Sequence, residues 1–299
     1  MTNPSPLRTF LANSRPWALM GGAVAYFLGT GIASYLGNII NPAVFLAGLA
    51  AVFMLLLSSG YLRVYFDLLA DHTRLAASHD SDPNLPRPQI LYLQASLATL
   101  TVGAVLTVML SANRVLNPPT FLILGAAFLI SMLYAIPPFR LVYSGYGELI
   151  NAILLMNLVP ALGYMLQTGT LHRLIGLITF PLTLLCLAVL MAISVQHYAA
   201  DLKYGRRSLL VRLGWQRGFN LHHILILSAY ILMGVSALIG LPWNLVWPPM
   251  LSLPVALFEI YLLIQISGGA KPRWRLLNYT SLATLFLVLY FLNLALWLD

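Results

Sequence analysis

From Trp17 to Trp297 the chain is a succession of long apolar runs separated by short polar breaks. The runs hold roughly twenty residues each, the length an α-helix needs to cross a hydrocarbon layer of about 30 Å. They fall near 17–37, 43–62, 89–111, 119–138, 148–168, 174–200, 219–240, 246–267 and 276–298. The breaks carry helix-ending chemistry at Asn41-Pro42, Pro86-Arg87-Pro88, Asn117-Pro118-Pro119, Pro137-Pro138 and Gly268-Gly269. The pattern predicts an all-α fold, a polytopic membrane protein built as a nine-helix transmembrane bundle. No short-period repeat, low-complexity segment or linker interrupts it, so residues 1–299 read as one integral-membrane domain. The first run is long enough to span, and no cleavable signal peptide is expected.

Composition agrees: 60% of residues are hydrophobic and 8% charged, against about 25% charged in a soluble chain. The single cysteine, Cys186, excludes an intramolecular disulfide and a cysteine-based metal site. A net charge of +8 would suggest nucleic acid in a soluble protein; here no nucleic-acid partner is expected, because the charge follows topology. With the N-terminus inside, fourteen of the sixteen Lys and Arg residues fall on the inner side, leaving Arg114 and Arg173 outside. The expected location is a cell inner membrane, N-terminus cytoplasmic and C-terminus outside.

Carboxylates are scarce and clustered. Four of the eight, Asp67, Asp71, Asp80 and Asp82, lie in "YLRVYFDLLADHTRLAASHDSD" after the second run. Asp67 and Asp71 are one helical turn apart on one face. An ionised Asp deep in a span costs about 2.5–3.5 kcal/mol, so such a pair needs water, a cation or a basic partner. Carboxylates at this spacing suit Mg²⁺ bridged to phosphate oxygens; the alternative is a solvated helix end with Arg63 and Arg74 as ion-pair partners. A second polar group, "SVQHYAADLKYGRRSLLVRLG", ends the sixth run, with His197 and Asp201 four apart and Lys203, Arg206 and Arg207 following. Acidic helix ends beside a basic loop are what a diphosphate bridged by Mg²⁺ requires. Topology alone accounts for the basic residues but not for the Asp residues.

These motifs resemble the UbiA superfamily of intramembrane prenyltransferases, most closely its MenA branch, which prenylates 1,4-dihydroxy-2-naphthoate in menaquinone biosynthesis. "SRPWALMGGAVAYFLGTGIA" is similar to the family's first span and "RVYFDLLAD" to its first Asp-rich motif, usually NDxxDxxxD. "LYAIPPFRLVYSGYGELINAILLMNLVPALGYMLQTG" resembles the MenA middle, and "HYAADLKYGRRSLLVRLG" the second motif with its basic tail. The resemblance covers nearly the whole chain. It departs at Arg63 and Val64, where the family has Asn-Asp, and at His197, where it has Asp; Ser194 stands in an Asn-like position.

The resemblance implies Mg²⁺-dependent transfer of a polyprenyl group from a polyprenyl diphosphate to an aromatic acceptor, within the lipid bilayer and at a cytoplasmic mouth. It implies Asp67, Asp71 and Asp201 as catalytic metal ligands and Lys203, Arg206, Arg207 and Arg63 as diphosphate-binding residues. Arg15, Tyr134, Arg140 and His197 would face the substrate pocket, with His197 either a metal ligand or a hydrogen-bond donor to diphosphate. Tyr65, Phe66, Tyr134 and Tyr198 are candidates to stabilise an allylic cation. Each has a plainer reading: Arg15 as interfacial anchor, Tyr134 as aromatic-belt residue, Arg140 as topology marker, and Glu148 as a carboxylate at a helix N-terminus. His222 and His223 are expected at the interface without metal, and Asp80 and Asp82 in a loop. Two competing functions remain open at this point: a non-catalytic prenyl-lipid-binding relative, suggested by the motif departures, and a small-solute transporter.

Overall fold

A computed structural model of the chain describes residues 16–77 and 89–298, of 71–77 the backbone alone. Arg15, Asp80 and Asp82 lie outside the described residues. Helices α1 (Pro16–Tyr35), α2 (Pro42–Ala77), α3 (Gln89–Ala112) and α4 (Pro118–Ala135) precede a 3₁₀ turn at Leu141–Tyr143. Next, α5 (Gly147–Ile153) runs through a π turn at Leu154–Leu158 into α6 (Val159–Thr168), and α7 covers Arg173–Val195. Two short helices, α8 (Tyr198–Tyr204) and α9 (Leu209–Leu213), lead to α10 (Trp215–Leu238), α11 (Trp243–Met250), α12 (Leu253–Ser267) and α13 (Trp274–Leu298). Among the described residues there is no strand; one isolated β-bridge joins Ser144 and Arg207.

Among the described residues, eight helical stretches are long and apolar enough to cross a membrane, and α11 with α12 passes the same test as a pair bent by 41°, a broken span or a re-entrant loop. The bend corrects the expectation of a continuous eighth span. Pro248 and Pro249 each remove an amide donor from the ladder of α11, and Pro254 lies in the first turn of α12, where proline suits a helix start. Ser252 satisfies the break: its hydroxyl donates to the Pro249 carbonyl at 2.6 Å and lies 2.7 Å from the Tyr230 hydroxyl. Two further boundaries differ from the sequence pattern. Helix α2 continues 15 residues past position 62, to Ala77, which carries Asp67 and Asp71 as one uninterrupted helix. The sixth span closes at Val195, and His197 becomes the N-cap of the separate helix α8.

The core lies where α5–α6 and α7 run through the middle of the bundle, with Met156, Leu162, Met165, Leu182 and Met191 almost wholly buried. Helix α3 is peripheral, and its Val102, Val105, Val108 and Met109 are exposed, as expected of a lipid-facing helix. Between α1 and α6 small residues let the backbones touch. A Cβ on Gly29 would come within 1.9 Å of the Pro160 carbonyl oxygen, and one on Gly163 within 2.4 Å of that of Tyr26. Polar pairs join other helices: Ser58 and Ser96 exchange hydrogen bonds between α2 and α3, and Asn157 of the π turn bonds Thr179 and Thr183 of α7.

His222 corrects another expectation. It is 1% exposed rather than interfacial. Its Nε2 lies 3.0 Å from Oε1 of Glu259, itself fully buried, and Thr284 donates to the other carboxylate oxygen at 3.1 Å. This network ties α10, α12 and α13 together.

Candidate functional site

A cavity of about 490 Å³ opens at one end of the bundle, among α2, α4, α5, α7 and the α8–α9 connection. Its wall includes Arg63, Tyr134, Tyr143, Glu148, Ser194, His197, Asp201 and Arg206. The two polar sequence groups, more than a hundred residues apart, thus meet at one place.

Asp67 stands behind this wall, not in it. Arg140 donates to Oδ1, the Tyr143 hydroxyl donates to Oδ2 at 2.8 Å, and Arg63 Nε lies 3.6 Å from Oδ2. Arg140 adopts a left-handed backbone at φ 37°, unusual for a residue with a side chain, at the start of the 3₁₀ turn. Its guanidinium also lies over the Tyr143 ring, 4.9 Å from the centroid, and that of Arg206 lies 5.6 Å from the same centroid. Three guanidiniums therefore gather on one carboxylate and one phenol. Burial raises the Tyr143 pKa and outweighs the lowering effect of Arg63, so the phenol stays a donor. Asp71 follows one turn further along α2.

The opposite wall comes from the end of α7 and from α8. The α8 helix ends at Gly205, whose φ of 66° suits a residue without Cβ and reverses the chain so that Arg206 lines the cavity. Among the described residues, the Asp201 carboxylate, also on the cavity wall, has no hydrogen bond or ion pair. His197 is held by a relay: Asn278 of α13 donates to Gln196 Oε1 at 3.0 Å, and Gln196 Nε2 lies 2.8 Å from His197 Nε2. With the Gln196 amide as donor, Nε2 is the acceptor and Nδ1 carries the proton.

Glu148, for which sequence left a helix-end role and a site role open, has a specific task. It accepts from the backbone N–H of Leu209 at 3.1 Å and from the Ser194 hydroxyl at 3.3 Å. The same connection is fastened by Arg212, which donates to the Ser144 carbonyl at 3.3 Å, and by the Ser144–Arg207 bridge. The basic loop is thereby pinned to the start of α5. Lys203 and Arg207 are exposed and do not line the cavity; the Lys203 ammonium lies 5.7 Å from the Tyr204 ring centroid. Tyr198 packs on Trp215, with ring centroids 5.2 Å apart, while Tyr65 packs on Phe66. Tyr143 and Glu148 both line the cavity; sequence left a role open for Glu148 and gave none to Tyr143.

A divalent ion prefers carboxylate, phosphate and water oxygens. Asp201 meets that need, being unpartnered on the cavity wall. Asp67 does not, since both its oxygens are taken by donors, and a cation there would have to displace guanidiniums. Among the described residues no three His, Cys, Asp or Glu side chains converge.

The sequence profile of the UbiA prenyltransferase family matches residues 24–282. Over 223 residues the chain is 23% identical to the 1,4-dihydroxy-2-naphthoate octaprenyltransferase of Bacillus subtilis (strain 168), covering 73% of this chain and 70% of that one. Its fold is similar to that of a digeranylgeranylglyceryl phosphate synthase in membranes, with a TM-score of 0.64 at 18% identity over 97% of this chain and 96% of that one. It is also similar to a UbiA homolog from Archaeoglobus fulgidus bound to GPP and Mg²⁺, with a TM-score of 0.60 at 16% identity over 96% and 99% of the two chains.

Proposed function

The chain belongs to the UbiA prenyltransferase family, and on that premise we propose that this integral-membrane prenyltransferase moves a polyprenyl group from its diphosphate to a quinone-precursor naphthoate, at a cavity open to the cytoplasm. The observation that carries the reading is the cavity wall itself, where Arg63 and Arg206 face the same space as the unpaired Asp201. That is the pairing a metal–diphosphate complex needs, at the end of an otherwise apolar bundle. The naphthoate is supported by the Bacillus subtilis relative, and Mg²⁺ by the Archaeoglobus fulgidus homolog bound to GPP and Mg²⁺. The cytoplasmic mouth is supported by the bias of Lys and Arg toward that end.

In this reading Arg63 and Arg206 receive the diphosphate oxygens through charge-assisted hydrogen bonds, and His197 Nδ1–H adds a neutral donor. Asp201 would hold Mg²⁺; a bound ion would supply Lewis-acid stabilisation of the departing diphosphate. The allylic C–O bond breaks with its electron pair leaving on the diphosphate. A ring carbon of the acceptor then forms the new C–C bond with the allylic cation, and its proton passes to the released diphosphate, which restores the aromatic ring. Tyr134 on the wall is the aromatic residue proposed to stabilise the developing allylic cation, and the surrounding helices exclude water that would quench it.

The test is transfer from labelled geranylgeranyl diphosphate to a panel of aromatic acceptors by the purified protein in lipid nanodiscs, with Mg²⁺ or EDTA. Mg²⁺-dependent prenylation of the naphthoate above the other acceptors is expected. A preference for hydroxybenzoate or homogentisate would overturn the acceptor assignment.

A further inference from the structure

The first polar motif departs from its family in charge as well as in identity, and the geometry gives that departure a meaning. At the position where the family has Asn, Arg63 lines the cavity, with Asp67 one turn behind it as counter-ion. Arg63 Nε lies 3.6 Å from Asp67 Oδ2, so the carboxylate holds one edge of the guanidinium. A guanidinium carries five N–H donors, and those that the counter-ion does not take are left for a second anion. Arg206 faces the same space from the opposite loop and shares the Tyr143 ring with Arg140. At the second departure, the ring nitrogen His197 Nε2 is already engaged by Gln196, which leaves a donor where the family has a carboxylate.

We infer that Arg63, backed by Asp67, is a built-in cation that binds the diphosphate directly, in place of a divalent ion at the first motif. The inference rests on the reading of the cavity as a diphosphate site and deepens it. A guanidinium is charged at every physiological pH and offers a planar fork that matches two phosphate oxygens. It therefore captures the anion with no metal to recruit. Asp67 serves to fix Arg63 and Arg140 rather than to coordinate. Capture of the diphosphate then belongs to the arginines, and Asp201 is the residue that would hold a divalent ion for the later breaking of the C–O bond.

The test separates binding from turnover. Inorganic pyrophosphate and a non-hydrolysable geranylgeranyl thiolodiphosphate are titrated calorimetrically into the full chain in nanodiscs, with Mg²⁺ and with EDTA. Parallel titrations use Arg63→Asn and Arg63→Lys, each checked for monodispersity and thermal unfolding. For the wild type, EDTA is expected to weaken binding by less than about threefold while abolishing transfer. Arg63→Asn is expected to lose about tenfold or more in EDTA and to regain much of it with Mg²⁺. Arg63→Lys keeps the counter-ion of Asp67 but not the fork, and falls between them. Wild-type binding that collapses in EDTA, with Arg63→Asn indistinguishable from it, overturns the inference while leaving metal-dependent transfer intact. Failure to bind either probe under both conditions, with no transfer, overturns the diphosphate site itself.

Discussion

Glu148 and Leu209 are 61 residues apart, yet a carboxylate oxygen of the first accepts the backbone N–H of the second at 3.1 Å. The contact caps α9 and fixes the loop that presents Arg206, so under the proposed function Glu148 would act on the diphosphate through that loop. Glu148→Ala leaves a partly buried N–H unsatisfied, a cost of about 1–3 kcal/mol. The expected result is a KM for the prenyl diphosphate raised about tenfold, with kcat changed much less. Glu148→Gln retains an acceptor oxygen and restores most of the loss. A kcat defect with unchanged KM would instead make Glu148 a participant in the chemistry.

The His222–Glu259 pair lies away from the cavity and is expected to act on stability. Truncating one member strands the other in an apolar interior, at a cost of about 3–5 kcal/mol. Glu259→Leu alone should therefore lower the thermal unfolding temperature in detergent more than the double substitution His222→Phe with Glu259→Leu. Additive losses in that double-mutant cycle would show that the two side chains are not coupled.

The apolar pattern carried the bundle and most of its spans, because a membrane imposes one strong constraint: each crossing helix must be long and continuous in apolar residues. It missed the bend between α11 and α12, where three prolines lie inside an apolar run and hydropathy is blind to lost amide donors. The second apolar run stopped at 62 because Asp67 and Asp71 lower hydropathy, but their four-residue spacing put both on one helix face, and the helix does run on through them to Ala77. The spacing of Asp67 and Asp71 invited a metal reading, but the partner that occupies Asp67 is Arg140, 73 residues away behind a turn with left-handed backbone. No local pattern reports such a contact. Glu259 did leave a signal. A lone carboxylate in an apolar span requires a partner, and His222 was a polar candidate within the neighbouring spans.

Tyr143 tests how Asp67 is organised. Tyr143→Phe keeps the ring beneath Arg140 and Arg206 but removes the donor to Asp67 Oδ2, a loss of about 0.5–1.5 kcal/mol. Prenyl transfer should fall severalfold with the fold intact. Because burial raises the phenol above its ordinary value of 10.0, it stays protonated from neutral pH to beyond that value. With the phenol raised by burial, the wild-type profile should show no loss assignable to Tyr143 from neutral to mildly alkaline pH; a wild-type alkaline limb in that range that Tyr143→Phe removes would contradict this.

The α1–α6 crossing should tolerate no side chain at Gly29. A Cβ there would sit 1.9 Å from the Pro160 carbonyl oxygen, so Gly29→Ala must push two backbones apart, at a cost of about 1–3 kcal/mol. Gly21, on the same helix, has nothing within 4 Å of a built Cβ, and Gly21→Ala is the control expected to be neutral or slightly stabilising. Equal unfolding temperatures for the two variants would mean that the crossing relaxes at no cost.

Asp201 decides whether the metal acts on capture or on chemistry. Among the described residues its carboxylate has no hydrogen bond or ion pair, and it lines the cavity, so Asp201→Asn removes the proposed negative ligand with little change in volume and leaves Arg63, Arg140 and Arg206 in place. If the arginines capture the diphosphate, pyrophosphate affinity in this variant should stay within a few-fold of wild type. If the ion at Asp201 stabilises the charge that develops as the C–O bond breaks, kcat should fall on the order of a hundredfold or more. Excess Mg²⁺ should recover only a small part of that, because the loss is of a ligand rather than of the ion. The opposite split, affinity lost with kcat retained at saturating substrate, would assign Asp201 to holding the substrate and return the work of bond breaking to the guanidiniums.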